Sequence, residues 1–460
     1  MKKIHRRDFL KSSAILSGGI ITGPQLFNPV DILPKRRLQI EKVFSTFERE
    51  PLIHSYGFKG GYITRLWQIV SKLEGNGQSG IGLGVQSPLW SDSRVAGKWA
   101  EGGSNSLMYN LTTKAIQLIE GKSYASPIEM VDDILDEVYE YGVKITENKD
   151  LRKTFALNAL VSVDNAAWVL YARQNNLSSF DKMLPKEYSP ALSYQHKKVA
   201  SIPSISYSTS ENEIKSLVED GYFFIKVKIG YPGDQKEMVE KDMERMTLIH
   251  SLIGDARTNN TKDGKIRYYL DANGRYESKE ALLKLLDHCE KIGAKDQVAI
   301  VEEPINEDLD IDVSDIDYRI AADESAHTYE DALKKIEMGY TAIALKPIAK
   351  TLSMTLKIAQ LAYEKEIPCL CADLTVNPVL VDWNKSVAAR LHPLPGVDVG
   401  LLETNGHQNY RNWSTMQGYH PKGDESWTHV NNGVFEITEG FYNKSGGILK
   451  DSKHYTNLFK

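Results

Sequence analysis

Hydrophobic and polar positions fall into two textures along this chain, changing at about Ile202. Before it, an apolar-alternating run (residues 40–47) predicts a strand, and two later stretches carry the helical period. One opens on Ser126-Pro127, a capping residue and a first-turn proline, and places Ile128, Val131, Ile134, Leu135 and Val138 on one face as far as Tyr141. The other, residues 151–175, repeats Leu157, Leu160, Val161, Ala166 and Leu170 at helical spacing. Residues 75–106 are rich in Gly and Ser, lack a phosphate-loop pattern and read as loop, with a mobile lid as the alternative. After Ile202, short apolar runs alternate with amphipathic stretches. The predicted strands are 202–207, 223–228, 266–271, 298–302, 319–322, 342–346, 369–372 and 397–402, with helices at 236–252, 278–292, 329–338 and 353–365 among them. Eight closely spaced strands of this kind predict a parallel barrel. A last strand-like run, 433–438, is expected to pack back onto the first domain.

Several of these strands end on a charged residue. Asp271, Glu302 and Asp323 close three successive strands, 31 and 21 residues apart, about one βα unit each. Lys226 and Lys228, and Lys346, close two others. In a barrel all strands point their C-terminal ends to one face, so these groups converge. Any one acid alone reads as a helix cap or a lysine partner. Three in register, flanked by lysines, suit a hard divalent cation such as Mg²⁺ that leaves positions for substrate oxygens. Lys226 and Lys228 are two apart and share a face, and their mutual repulsion is expected to lower the pKa of at least one. Such a lysine can act as a general base on the α-proton of a carboxylate whose developing charge a metal stabilises.

Composition changes this picture little. The chain has 460 residues, 41% hydrophobic and 25% charged, with net charge −5, so neither nucleic acid nor an anionic membrane is an expected partner. Cys289, Cys369 and Cys371 are too few for a structural zinc site and are expected as buried thiols. The N-terminus departs from this plainness. It has a basic front, the pair Arg6-Arg7 and then Phe9-Leu10-Lys11, before an apolar stretch of about a dozen residues, too short to span a bilayer. It resembles a twin-arginine export signal, which implies the export machinery as a partner and a periplasmic location reached in folded form.

The strand-end motifs Lys226-Val227-Lys228, Leu270-Asp271-Ala272-Asn273, Val301-Glu302-Glu303-Pro304, Ala322-Asp323-Glu324-Ser325 and Leu345-Lys346-Pro347 together resemble those of the enolase superfamily. Within it they are similar to the mandelate racemase/muconate lactonizing enzyme family, which includes the dipeptide epimerases. The resemblance covers about residues 38–450. It implies a (β/α)-barrel of modified TIM type with an α+β capping domain. The expected division is signal and linker 1–37, N-terminal part of the cap 38–195, barrel 196–405, and a segment 406–460 returning to the cap. It also implies one Mg²⁺ per site (Mn²⁺ as substitute) on Asp271, Glu302 and Asp323, with Glu303, Glu324 and Asn273 behind or beside the ligands. Lys228 and Lys346 would be acid/base groups on opposite faces of the substrate, and Lys226 would contact its carboxylate. The chain departs from the family after Lys346, where Pro347-Ile348-Ala349-Lys350 replaces a Gly-Gly turn, and the Lys346-Pro347 pair is closer to what o-succinylbenzoate synthases show. It departs again after the eighth strand, where Glu403-Thr404-Asn405 replaces the paired aspartates of dipeptide epimerases, leaving Glu403 as the candidate for a substrate ammonium. The expected activity is Mg-dependent α-proton abstraction through a metal-stabilised enediolate, leading to racemisation or epimerisation of a small carboxylate, with a homo-oligomer possible. β-Elimination or cycloisomerisation on the same site is the alternative. A glycoside hydrolase using Glu302 and Asp323 and a non-catalytic exported binding protein stand further off.

Overall fold

The computed structural model describes residues 35–58 and 61–460, so the Arg6-Arg7 motif lies outside the described residues. The cap is an antiparallel sheet of Lys42–Phe58, Gly61–Gly75 and Gln78–Gln86, with helices Ser93–Ile119, Pro127–Thr146 and Lys153–Gln174. Ser126 caps the second helix by accepting from Glu129 N, and Pro127 takes the first turn.

Residues 75–106 are therefore not a loop but a strand followed by helix. The glycines misled because their alternation serves packing. Gly80 and Gly82 face helix Lys153–Gln174 so closely that a Cβ on Gly82 would stand 2.1 Å from Ala166 N. The strand backbone thus lies directly on the helix backbone, which no side chain would allow. That helix is apolar and long enough to cross a membrane by composition, yet it is wholly buried. It lies between the cap sheet and the barrel, where Trp168 Nε1 donates to Ser353 Oγ (3.1 Å) and Asp164 accepts from Ser353.

The barrel strands follow in the order of the chain, all parallel. The first is broken at Pro203, which has no N–H to give the ladder. Its first half, Lys198–Ile202, pairs with the eighth strand, Gly400–Glu403, and its second half, Ser204–Ile205, with the second, Phe224–Lys228, so the barrel closes. The third to seventh strands are Arg267–Asp271, Val298–Glu302, Ile320–Ala322, Ala342–Leu345 and Cys369–Cys371. Most barrel helices start on a Ser, Thr, Asp or Asn that accepts from the first turn, as Ser210, Asp234, Ser278, Thr328 and Asn377 do. The connection from the fourth to the fifth strand carries no helix. Val434–Glu436 does not join the first domain as expected, but pairs antiparallel with Lys198–Ile202 of the barrel. The C-terminal segment meets the cap both before this strand, where Arg411 N donates to Pro51 O (3.1 Å) and Asn412 Nδ2 to Glu50 Oε2 (2.9 Å), and after it, where Arg173 donates to Leu449 O (3.0 Å) and His454 meets Glu48 (2.7 Å). All three cysteines are buried free thiols.

Candidate active site

Strand register assembles the site. Lys228 is paired with Asp271 across the second and third strands, and Asp271 with Glu302 across the third and fourth. Neighbours at one level of a parallel ladder point the same way, so these three groups and Lys226, two residues back, share the barrel mouth. Lys346 follows the sixth strand, halfway round an eight-stranded barrel from Lys228. Asp271, Glu302 and Asp323 are at most 1% exposed.

The ammonium groups sit on the carboxylates. Lys226 Nζ is 2.9 Å from Asp271 Oδ2, 2.5 Å from Glu302 Oε2 and 2.9 Å from Glu403 Oε2. Lys228 Nζ meets Asp271 Oδ2 at 2.5 Å and Asn273 Oδ1 at 3.0 Å. Lys346 Nζ lies 2.5 Å from Asp323 Oδ2, and Lys350 Nζ bonds Asp323 Oδ1 (3.2 Å) and its main-chain carbonyl. Behind them, Asn273 Nδ2 donates to Glu324 Oε1 (2.8 Å), and Glu303 Oε2 accepts from Asp323 N (2.8 Å) and from Ser325 N and Oγ. Glu303 takes a positive φ of 36°, a conformation that costs about 1–3 kcal/mol and is typical of a functional turn.

Charge follows from these contacts. Burial alone would lower Lys226, but Asp271, Glu302 and Glu403 raise it well above the usual lysine range. The expectation that Lys228 would depress its neighbour thus fails for Lys226, because three carboxylates outweigh one lysine. Burial would raise Asp271, yet Lys226 and Lys228 hold it well below the carboxylate range. Asp323 is likewise held down by Lys346 and Lys350 against its burial. Glu302 goes the other way, pushed well up by burial and by Asp271. Burial and the charges of Glu324 and Glu307 push Glu303 up to about 7.

As they stand, no three carboxylate, histidine or cysteine groups among the described residues are disposed to hold a metal ion. The lysines explain this, since their ammonium groups take the positions between the acids. In kind the set does fit a hard divalent cation. Three carboxylates end adjacent strands, and Glu302 Oε1 is buried with no hydrogen-bond partner among the described residues. Glu302 is the acid whose charge the lysines compensate least.

A small cavity of about 50 Å³ opens over these groups. The cap contributes Leu52, Ile63, Leu66, Ser87 and Trp90, whose ring centroid lies 4.3 Å from Lys346 Nζ. A larger cavity of about 350 Å³ lies elsewhere, lined by Asp382, Lys385, Thr404 and Trp413, and shares none of the strand-end groups. The structure places Glu403 in the site, but its Oε2 is taken by Lys226 and by Asp373 N (3.0 Å), leaving Oε1 beside Asn405 Nδ2 (3.3 Å). Three residues of the site were not foreseen. Asp373 stands two residues beyond the seventh strand, and burial and Glu403 push it up to about 7. Its oxygens accept from Leu374 N (2.8 Å) and Asn405 N (2.8 Å), joining the ends of the last two strands. Lys350 and Trp90 carry no strand-end signal.

The structure thus defines a capped parallel barrel with lysines and carboxylates at its strand ends. Residues 210–400 match the family described as Enolase C-terminal domain-like. Over these residues, which span most of the barrel, the chain is similar to that family. Solved structures share the fold. One is a mandelate racemase/muconate lactonizing protein from Herpetosiphon aurantiacus, 14% identical, with TM-score 0.59 over 88% of this chain and 97% of that one. An N-succinyl Arg/Lys racemase from Bacillus cereus is 16% identical, with TM-score 0.58 over 81% and 89%. A dipeptide epimerase from Enterococcus faecalis, complexed with Mg and L-Leu-L-Tyr, is 17% identical, with TM-score 0.56 over 79% and 90%. By sequence, no curated protein matches.

Proposed function

We propose that this chain is an isomerase that moves the α-proton of a small carboxylate substrate between two lysines, as a racemase or epimerase. The observation that carries this reading is the placement of Lys228 and Lys346 at the second and sixth of eight strands, on opposite sides of one carboxylate cluster. Two faces of a substrate carbon held between them each meet a lysine, so the neutral amine on one side accepts the proton and the ammonium on the other gives one back. Asp271, Glu302 and Asp323 would hold one Mg²⁺, with Mn²⁺ as a substitute. When bound, that ion supplies positive charge to the substrate carboxylate as the α-carbon loses its proton. Lys226, fixed among three acids, adds a second positive charge beneath the same carboxylate. Asn273 orients Lys228, and Trp90, Leu52, Ile63 and Leu66 exclude water. The solved dipeptide and N-succinyl amino acid enzymes of this fold make dipeptides and amino-acid derivatives the first substrates to try. Glu403 Oε1 is the group that would meet a substrate ammonium.

The test is incubation with dipeptides, N-acyl amino acids and sugar acids in D₂O with Mg²⁺. Deuterium at the α-carbon with loss of stereochemistry, abolished by EDTA, is the expected result. Lys228→Ala and Lys346→Ala should each lose turnover by about 10²–10⁴-fold while keeping exchange from opposite stereoisomers. A Lys346→Arg variant that stays active would favour elimination or cycloisomerisation, in which one lysine supplies charge alone. No exchange with any carboxylate class would refute the proposal. The Arg6-Arg7 motif supports export in folded form by the twin-arginine route, which retention of an Arg6→Lys/Arg7→Lys variant in the cytoplasm would test.

A further inference from the structure

Asp323 is gripped by two lysines, and only one of them stands at a strand end. Lys346 precedes the single helical turn Pro347–Lys350, and Lys350 closes it, so the two are four residues apart on one face. Lys346 takes Asp323 Oδ2 alone, whereas Lys350 takes Oδ1 and also the main-chain carbonyl. Lys350 is 2% exposed, and the Trp90 ring covers both ammonium groups, 4.3 and 5.9 Å from its centroid. The next residue, Thr351, is buried at φ 68° and ψ 152°, in a region that glycine occupies and that strains a β-branched residue. Its Oγ1 caps the following helix at Met354 N (3.1 Å). The chain thus holds a strained turn that directs Lys350 inward rather than letting it swing to solvent.

We propose that Lys350 is a positioning residue, a fixed internal counter-ion for Asp323, while Lys346 is the mobile ammonium that meets substrate. The distinction lies in the anchors. A cation on the Asp323 carboxylate would take the one partner Lys346 has there, but would leave Lys350 its carbonyl. Anchored on that carbonyl, the Lys350 side chain would stay beside the site and oppose the ion. It holds the acidic strand end together in the metal-free chain and sets the metal affinity lower than three carboxylates alone would. This inference rests on the reading of Asp323 as a metal ligand.

The test is calorimetric titration of EDTA-stripped protein with Mg²⁺ and Mn²⁺. Lys350→Met should bind on the order of tenfold tighter than wild type, since a buried like charge near the ion is removed, while its thermal midpoint in EDTA falls. Lys350→Arg, which keeps the charge, should bind as wild type does. A merely structural lysine would lower the midpoint without tightening the ion, so unchanged or weaker binding by Lys350→Met overturns the proposal. If that variant is insoluble, Lys350→Gln, which keeps a donor for the Asp323 carbonyl and removes the charge, should tighten binding in the same direction, and unchanged affinity there overturns it as well. Absence of binding in wild type and variants alike overturns the metal reading itself, and this inference with it.

Discussion

Lys226→Met isolates the charge balance of the barrel mouth. The Lys226 side chain is 3% exposed and lies within 2.9 Å of Asp271, Glu302 and Glu403 oxygens. Methionine keeps its length and packing and removes only the ammonium. Asp271 would retain Lys228 at 2.5 Å, and Glu403 would retain Asp373 N at 3.0 Å. Glu302 would be left with no cation, already the acid most strongly pushed toward its neutral form. Breaking a buried pair costs about 3–5 kcal/mol, and protonation of Glu302 limits the loss to the lower end, about 3 kcal/mol. A divalent ion would replace the missing charge. The variant should therefore bind the ion more tightly than wild type, and at saturation about 100-fold tighter binding would close about 2.7 kcal/mol of the gap, close to the deficit. Urea midpoints of both proteins in EDTA and in saturating Mg²⁺ check this: the gap should be wide in EDTA and narrow with the ion. Glu403→Gln removes one partner of three and should cost less, about 1–2 kcal/mol. A Lys226→Met variant as stable as wild type in EDTA, or a gap that Mg²⁺ leaves unchanged, would refute the reasoning.

Gly82→Ala forces a methyl to within 2.1 Å of Ala166 N and 2.2 Å of Ser162 O, both backbone atoms that cannot turn aside. It should destabilise by about 1–3 kcal/mol or more, whereas Gly102→Ala, with nothing within 4 Å on an exposed helix face, should be neutral or stabilising; thermal melts compare them. Asp164 is buried against Ser353, and its carboxyl is pushed up to about 7 by that burial. Its unfolded value is about 3.9, so between these values the folded chain holds a proton that the unfolded chain has lost. This group therefore makes stability fall as pH rises from about 4 to 7, by up to about 1.4 kcal/mol per pH unit, with no further slope above. Asp164→Asn should flatten the profile of urea midpoint against pH in that window, and parallel profiles would contradict the assignment.

The barrel was legible in the sequence because parallel strands announce themselves twice, by short apolar runs and by the charged residues where they end. Asp271, Glu302, Asp323, Lys228 and Lys346 all stand within one residue of a strand end. Asp373 carries the same signal after Cys369-Leu370-Cys371-Ala372, and it is the one strand-end acid of the site that the sequence reading passes over. Trp90 and Lys350 carried none, since one arrives from the cap through tertiary packing and the other from a helical turn beyond its strand. Residues 75–106 were misread because glycine alternation at Gly80 and Gly82 means close backbone packing here, not a turn. The misjudged lysine has a deeper cause. Read along the chain, Lys226 and Lys228 have only each other as neighbours, and repulsion follows. Read around the barrel, strand register sets Asp271 and Glu302 beside them, and acids outnumber lysines at Lys226. Lys226 is thereby fixed as a permanent cation. Lys228, with its side chain 19% exposed and tied to Asp271 and Asn273, is the one of the pair with room to reach a substrate, as the proposed proton transfer requires.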